Sequence, residues 1–411
     1  MTTSTLIERT FREEHGRIIA ALIAQLGDFT LAEDALQDAL VIALEKWEQD
    51  GVPNNPAAWL LTVAKRRAID RLRRKATLEE KVGILDSPVA TEDDYSMDDP
   101  IPDERLKLMF TCCHPSLALE AQVALTLHTL GGLSTQEVAR AFLVPVNTMS
   151  QRLSRARKKI RNAGIPYRVP PENLLPERLD ALLAVIYLIF NEGYCATDSD
   201  SLTRQDLSRE AIRLCRILVK LMPLSAESKG LLALMLLHDS RRETRLDADG
   251  NLVLLEDQDR SAWDHTQIAD GIAILDEALT LYTPGPYQVQ AAISALHSEA
   301  PSAAETDWKQ IAALYGSLSI MTPSPVIEIN RAVAIAMANT PADGLRHLHR
   351  IKDMEDYYPY NVALADLLRR TNQYEAAADA YERAIALCGN VAERAYLQKR
   401  LDEINSLFEE K

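Results

Sequence analysis

At 411 residues the chain is long enough for two or three domains, each burying its own core. Its 47% hydrophobic and 26% charged residues are ordinary for a globular protein, and scarce Gly with abundant Ala, Leu, Glu and Arg favours helices. Five irregularly placed cysteines do not make a disulfide framework. The amino terminus has no apolar core of signal-peptide type, and the longest nearly apolar run, Ala181 to Phe190, is too short to cross a bilayer. These features exclude a membrane span and predict a cytoplasmic, reducing environment.

The formal net charge of −15 is unevenly spread. Residues 1–165 carry 21 Lys+Arg against 23 Asp+Glu, whereas the remainder carries 24 against 37. Basic blocks therefore alternate with acidic ones in the first part, and the second is evenly acidic. This asymmetry suggests a nucleic-acid-binding portion joined to one that does not bind nucleic acid.

Residues 5–81 read as helical. In "LAEDALQDALVIALEKW" the apolar Leu31, Ala35, Leu36, Ala39, Leu40, Ala43 and Leu44 share one helix face, and Glu33, Asp34, Gln37, Asp38 and Glu45 share the other. "DGVPNNP" breaks this helix, and Pro56 suits the first turn of the next. That second helix is apolar at Trp59, Leu60, Val63, Ala64, Ala68 and Leu72, and basic at Lys65, Arg66, Arg67, Arg71, Arg73, Arg74 and Lys75. Val82 to Glu104 has eight acidic residues, three prolines and no basic residue, the composition of an extended linker.

Helix resumes from about Arg105 to Ala163. Ser134 and Glu137 form a capping box that starts one short helix, and Pro145 is placed to open another. In the latter, Val146, Met149, Leu153, Ala156 and Ile160 define one buried stripe. The remaining faces are polar early and basic late, so the pair reads as a helix-turn-helix. Short polar side chains and Arg near the helix start suit base edges, and the later cations suit phosphates. Leu143 stands in the turn where many such motifs use Gly, and a Leu at positive φ would be strained there. The adjacent Cys112, Cys113 and His114 have no CxxC partner, so a buried or loop-stabilising role is favoured over zinc. HExxH, P-loop and GxSxG patterns are missing from the sequence, and neither an enzyme nor a cofactor is expected.

"IPYRVPPENLLP" marks a boundary, after which helices follow to the end. "LDADGNLVLLEDQD" interrupts them. Its spacing approaches that of a calcium loop, but Arg245 would occupy the first ligand position, so a short hairpin turning at "ADGN" is expected. Small residues at Ala211, Gly271, Gly344 and Ala377 recur in similar helical segments, and Ala377, Tyr381 and Ala384 fit the second helix of a tetratricopeptide (TPR) repeat. A solenoid of helix pairs is expected, with an irregular bundle as the alternative.

"AEDALQDALVIALEKW … PAAWLLTVAKRRAIDRLRRK", an acidic linker, and "EAQVALTLHTLGGLSTQEVARAFLVPVNTMSQRLSRARKKIR" together resemble an extracytoplasmic-function (ECF) sigma factor of the sigma-70 family. Downstream stretches such as "LPERLDALLAVIYLIFNEGY", "GPYQVQAAISALHSEAP" and "TPSPVIEINRAVA" resemble the group with a C-terminal TPR-like extension. The resemblance implies an all-α chain: region 2 over 1–82, an acidic linker over 83–104, region 4 over 105–165 and a TPR-like regulatory domain over 166–411.

By that resemblance Asp34, Gln37 and Asp38 bind core RNA polymerase at the β′ clamp helices, although a solvated face would look the same in sequence. Region 4 meets the β flap. Lys65, Arg66, Arg67, Arg71 and Arg74 serve the promoter −10 element, with Trp59 read as core rather than as a stacking surface. Many family members carry Asn where this chain has Arg66, which leaves the details of −10 recognition open. Ser150, Gln151, Ser154 and Arg155 match positions that read the −35 element, and Thr148, Arg152, Arg157 and Lys158 lie near phosphates. The acidic linker matches the segment that threads the RNA exit path, and the C-terminal domain is expected to contact the sigma domains. The competing expectation is a helix-turn-helix regulator with a TPR sensor, working without polymerase.

Overall fold

The computed structural model describes residues 3–80, 103–142, 144–194, 202–245, 247, 253–389 and 391–409. Most of the predicted acidic linker, the turn residue Leu143 and the predicted "ADGN" hairpin lie outside them. The chain forms two compact units, Met1–Ile189 and Phe190–Lys411, and the described residues are all-α.

The first unit holds α1 (Thr3–Leu26), α2 (Phe29–Gln49), α3 (Pro56–Glu80), α4 (Arg105–Cys112), α5 (Leu119–Thr129), α6 (Thr135–Ala141), α7 (Val146–Asn162) and most of α8 (Leu175–Tyr194). Helix α2 starts where the Asp28 carboxylate accepts the backbone N–H groups of Thr30 and Leu31, at 2.8 and 3.1 Å. Asn55 caps α3 in the same way, accepting from the Ala58 N–H at 3.1 Å. Ala32, Ala35, Leu36, Ala39 and Ala43 of α2 are buried, as are Leu60, Ala64 and Ala68 of α3. Trp59 packs edge-on against Trp47 with ring centroids 5.4 Å apart. Half-buried, Trp59 thus joins α2 to α3.

The two parts of this unit share one core. Gly16 of α1 lies so close to the turn after α5 that a Cβ there would sit 2.7 Å from the Leu130 carbonyl oxygen. The Tyr167 hydroxyl donates to the Ala20 carbonyl at 2.8 Å. Cys112 and Cys113 are fully buried, and Cys113 Sγ lies 3.5 Å from Thr126 Oγ1. Burial pushes the Cys113 thiol up to about 12, so it stays protonated and packs as a small apolar group.

The second unit continues with α9 (Leu202–Leu221), α10 (Ala226–Asp239), α11 (His265–Leu279), α12 (Pro286–Glu299), α13 (Trp308–Met321), α14 (Pro325–Ala338), α15 (Pro341–Leu348), α16 (Tyr358–Arg370), α17 (Tyr374–Leu387) and α18 (Val391–Glu409). Each helix packs on its neighbour in the chain, with further contacts such as α10 on α12 and α14 on α16. The small residues picked out by the repeat lie at these crossings. Ala211 and Ala377 are fully buried. A Cβ on Gly271 would meet Leu237 Cγ at 3.0 Å, and one on Gly344 would meet Ala336 Cβ at 2.5 Å. The carboxylate of Glu227 on α10 accepts the Tyr287 and Gln288 N–H groups at the start of α12, at 2.9 and 3.1 Å. No helix among the described residues is long and apolar enough to cross a membrane.

Candidate nucleic-acid interface

The helix-turn-helix is built as its sequence dictates. Ser134 Oγ accepts the Glu137 N–H at 3.2 Å, and the Glu137 carboxylate accepts the Ser134 N–H at 2.7 Å. Both groups of this capping box fix the start of α6. Pro145 is the cap of α7 rather than its first helical residue, and its carbonyl accepts the Met149 N–H at 3.1 Å. Met149, Leu153, Ala156 and Ile160 are buried, which orients α7 on its neighbours. Val146 departs from the predicted stripe and is exposed, because the first turn of α7 overhangs the core.

That orientation sets the outward face. Thr148, Ser150, Gln151, Ser154, Arg155 and Lys158 are exposed. Arg152 is half-buried, its guanidinium 5.5 Å from the centroid of the Phe142 ring. Polar groups that can reach a base edge thus stand together on the first two turns, with a cation beyond them.

Arg157 and Arg161 behave differently. The Arg157 guanidinium donates to both oxygens of Glu33 on α2, at 2.9 and 2.8 Å, and only about 15% of its side chain is exposed. Burial raises the Glu33 carboxyl to about 7, against the pull of Arg157. Arg161 meets the second oxygen of the Asp28 cap at 3.1 Å. His128 faces the same pocket, with Nε2 3.8 Å from Glu33, and burial together with Arg157 holds it below its ordinary value. Two cations of α7, Arg157 and Arg161, are thus held by acids of α2 and its N-cap.

The −10 set divides likewise. Arg66, Arg67 and Arg74 are exposed, and Lys65 is half-buried. Arg71 bridges back to α2, meeting Asp34 at 2.9 Å and Asp38 at 2.8 Å. Leu72, predicted on the apolar face, is exposed. On α2, Asp34, Gln37 and Asp38 share a helix face with Val41 and Leu44, which are 58% and 46% exposed. Local sequence reading placed Leu44 on the buried face and gave Glu33 and Asp28 no role. The arginine partners of those two acids lie more than a hundred residues away, beyond any periodicity signal.

Among the described residues no cluster of three or more His, Cys, Asp or Glu side chains could hold a metal. His114, next to the buried thiols, accepts the Ser116 N–H through Nδ1 at 3.2 Å.

Comparison with known proteins places these units. Residues 10–77 match the sigma-70 region 2 model, residues 107–160 match sigma-70 region 4, and residues 178–279 match a family of unknown function, DUF6596. An uncharacterized protein of Rhizobium meliloti is 39% identical over 410 residues, covering 98% of this chain and 97% of that one. The ECF RNA polymerase sigma factor SigK of Mycobacterium tuberculosis is 31% identical over 152 residues, covering 36% of this chain and 79% of its own length. The SigK protein of Mycobacterium ulcerans is 29% identical over 154 residues, with the same coverage of 36% and 79%. With region 2 on α1 to α3 and region 4 on α4 to α7, the chain belongs to the ECF sigma factors of the sigma-70 family and carries an additional C-terminal helical domain.

Proposed function

We propose that this chain binds core RNA polymerase and directs it to a set of promoters, with α7 reading the −35 element and α3 engaging the −10 element. The observation that carries this reading is the outward face of α7. Ser150, Gln151, Ser154 and Arg155 stand exposed together while Met149, Leu153 and Ala156 anchor the opposite side. The exposed face of α2, where Asp34, Gln37 and Asp38 adjoin Val41 and Leu44, suits a basic partner helix with apolar contacts of its own. That matches docking on the β′ clamp helices, with region 4 on the β flap.

The ion pairs within the unit fit this reading as exchangeable partners. Glu33 with Arg157 and Asp34 and Asp38 with Arg71 occupy, in the free chain, groups that polymerase and DNA would each claim. Engagement then swaps carboxylate for phosphate at both arginines. The division into 1–82, 83–104, 105–165 and 166–411 is part of the same proposal. The last stretch is proposed as a TPR-like regulator, and the helix pairs that cross at Gly271 and Gly344 support its TPR-like part.

Run-off transcription with purified core polymerase tests the proposal, and a promoter-specific transcript is the expected result. Binding to duplex DNA without any such transcript would sink it in favour of a helix-turn-helix regulator with a helical sensor. Two substitutions test the roles on α7. Arg155→Ala is expected to relax −35 preference at a cost of about 1–3 kcal/mol on the best sequence. Lys158→Ala should weaken all promoters alike and reduce the salt slope of binding by about one. Indistinguishable effects of the two changes across a promoter panel would refute the division into reading and gripping residues.

A further inference from the structure

The C-terminal unit contains a cavity of about 390 Å³, within the range of small-molecule sites, between the loop at Leu254, the start of α13, α14 and the end of α16. Its lining combines Trp308, Val333 and Met337 with the cations Arg260, Arg369 and Arg370 and the carboxylates Glu256 and Asp366, and Arg370 Nη1 lies 3.1 Å from Met337 Sδ. Asp366 is already engaged, 2.6 Å from Arg369 and 3.7 Å from Arg370. Arg260 has no carboxylate partner among the described residues. It donates to the carbonyls of His297 and Ala300 at 2.5 and 2.8 Å, and its guanidinium lies 4.8 Å from the Trp263 ring centroid. Burial, together with the positive field of Arg241 and Arg260, holds His297, also on the cavity wall, down at about 4, so it adds no charge at neutral pH.

Two polar atoms here are buried without a hydrogen-bond partner. They are Thr306 Oγ1, on a residue only 6% exposed, and Arg369 Nε. Both can donate, and a buried donor left unsatisfied costs about 1–3 kcal/mol. A pocket whose unmet groups are donors, whose lining arginines Arg260, Arg369 and Arg370 outnumber Glu256 and Asp366, and whose lining includes an indole and a thioether fits an anionic occupant with an apolar body. We propose that this cavity binds a small organic acid, its carboxylate accepting from Thr306, Arg369 and Arg260 and its apolar or aromatic body lying against Trp308 and Met337. The site belongs to the C-terminal unit alone, so the inference stands or falls independently of promoter recognition.

The test uses the full chain and a panel of 3-phenylpropionate, indole-3-acetate and octanoate at about 1 mM, with 3-phenylpropionamide and inorganic phosphate as controls. Thermal shift and calorimetry are read together, since a ligand that binds only the folded state raises Tm by mass action. At least one acid should raise Tm while the amide and phosphate do not. Thr306→Val, which keeps the side-chain shape, should weaken that acid about tenfold, the value of one lost hydrogen bond to a charged group. Arg346→Gln, whose side chain is 67% exposed on α15, should leave it unchanged. The proposal is overturned if no acid shifts Tm, if the amide or phosphate shifts it equally, or if Thr306→Val binds as tightly as the natural chain.

Discussion

Gly344→Ala is expected to destabilise the C-terminal unit by about 2 kcal/mol, although alanine is the better helix former by roughly 1 kcal/mol. A Cβ on Gly344 of α15 would lie 2.5 Å from Ala336 Cβ and 2.6 Å from the Ala332 carbonyl oxygen, both on α14. Neither is the end of a flexible side chain, so α14 and α15 must separate, and overpacking of this kind costs about 1–3 kcal/mol or more. Gly316→Ala on α13 supplies the opposite sign. There the nearest atom is the Arg331 guanidinium at 3.4 Å, an ordinary contact that can give way. That substitution should therefore stabilise by about 0.5–1 kcal/mol. Native-state hydrogen exchange of the amides in α14 and α15 reads both changes without assuming that the whole chain melts in one step. Unchanged or greater protection in Gly344→Ala would show that the two helices are not in close contact.

The small residues that reveal these crossings could be read directly from the sequence, because close helix approach permits almost nothing else at the contact. The capping box at Ser134 and Glu137 was equally legible, since both of its hydrogen bonds close within one turn. So was the stripe from Met149 to Ile160, which repeats with the helical period. Its first member, Val146, failed because periodicity says which side of a helix a residue faces and not whether the core extends that far. Leu44 and Leu72 failed for the same reason, at places where the helix face runs past its neighbour. The pairing of Glu33 with Arg157 spans the two regions and has no local signature at all. The cavity at Trp308 was hidden likewise, since Arg260, Thr306 and Arg369 come from three separate parts of the chain.

Arg157→Met is expected to cost the first unit about 1 kcal/mol more at pH 8 than at pH 5. Arg157 pulls the Glu33 pKa down, so without it the buried carboxyl titrates above about 7 and takes up a proton at pH 8, which costs about 1 kcal/mol relative to the natural chain. The pH dependence follows from Glu33, whose carboxyl is raised from 4.5 to about 7 by burial. A carboxyl raised above its unfolded value binds its proton more tightly in the folded state. Its stabilising contribution is therefore complete below about 4.5 and is lost as pH climbs through about 7. At pH 5 Glu33 is mostly protonated, and removing Arg157 strands no charge. Glu33→Gln should accordingly flatten the stability profile of the natural chain between pH 5 and 8, and Glu33→Gln with Arg157→Met should recover most of the loss at pH 8. Urea unfolding of the first unit, followed through the paired Trp47 and Trp59, measures all three chains. An Arg157→Met penalty equal at both pH values would mean that the side chain serves only to fill space. In that case α2 would exert no electrostatic hold on α7.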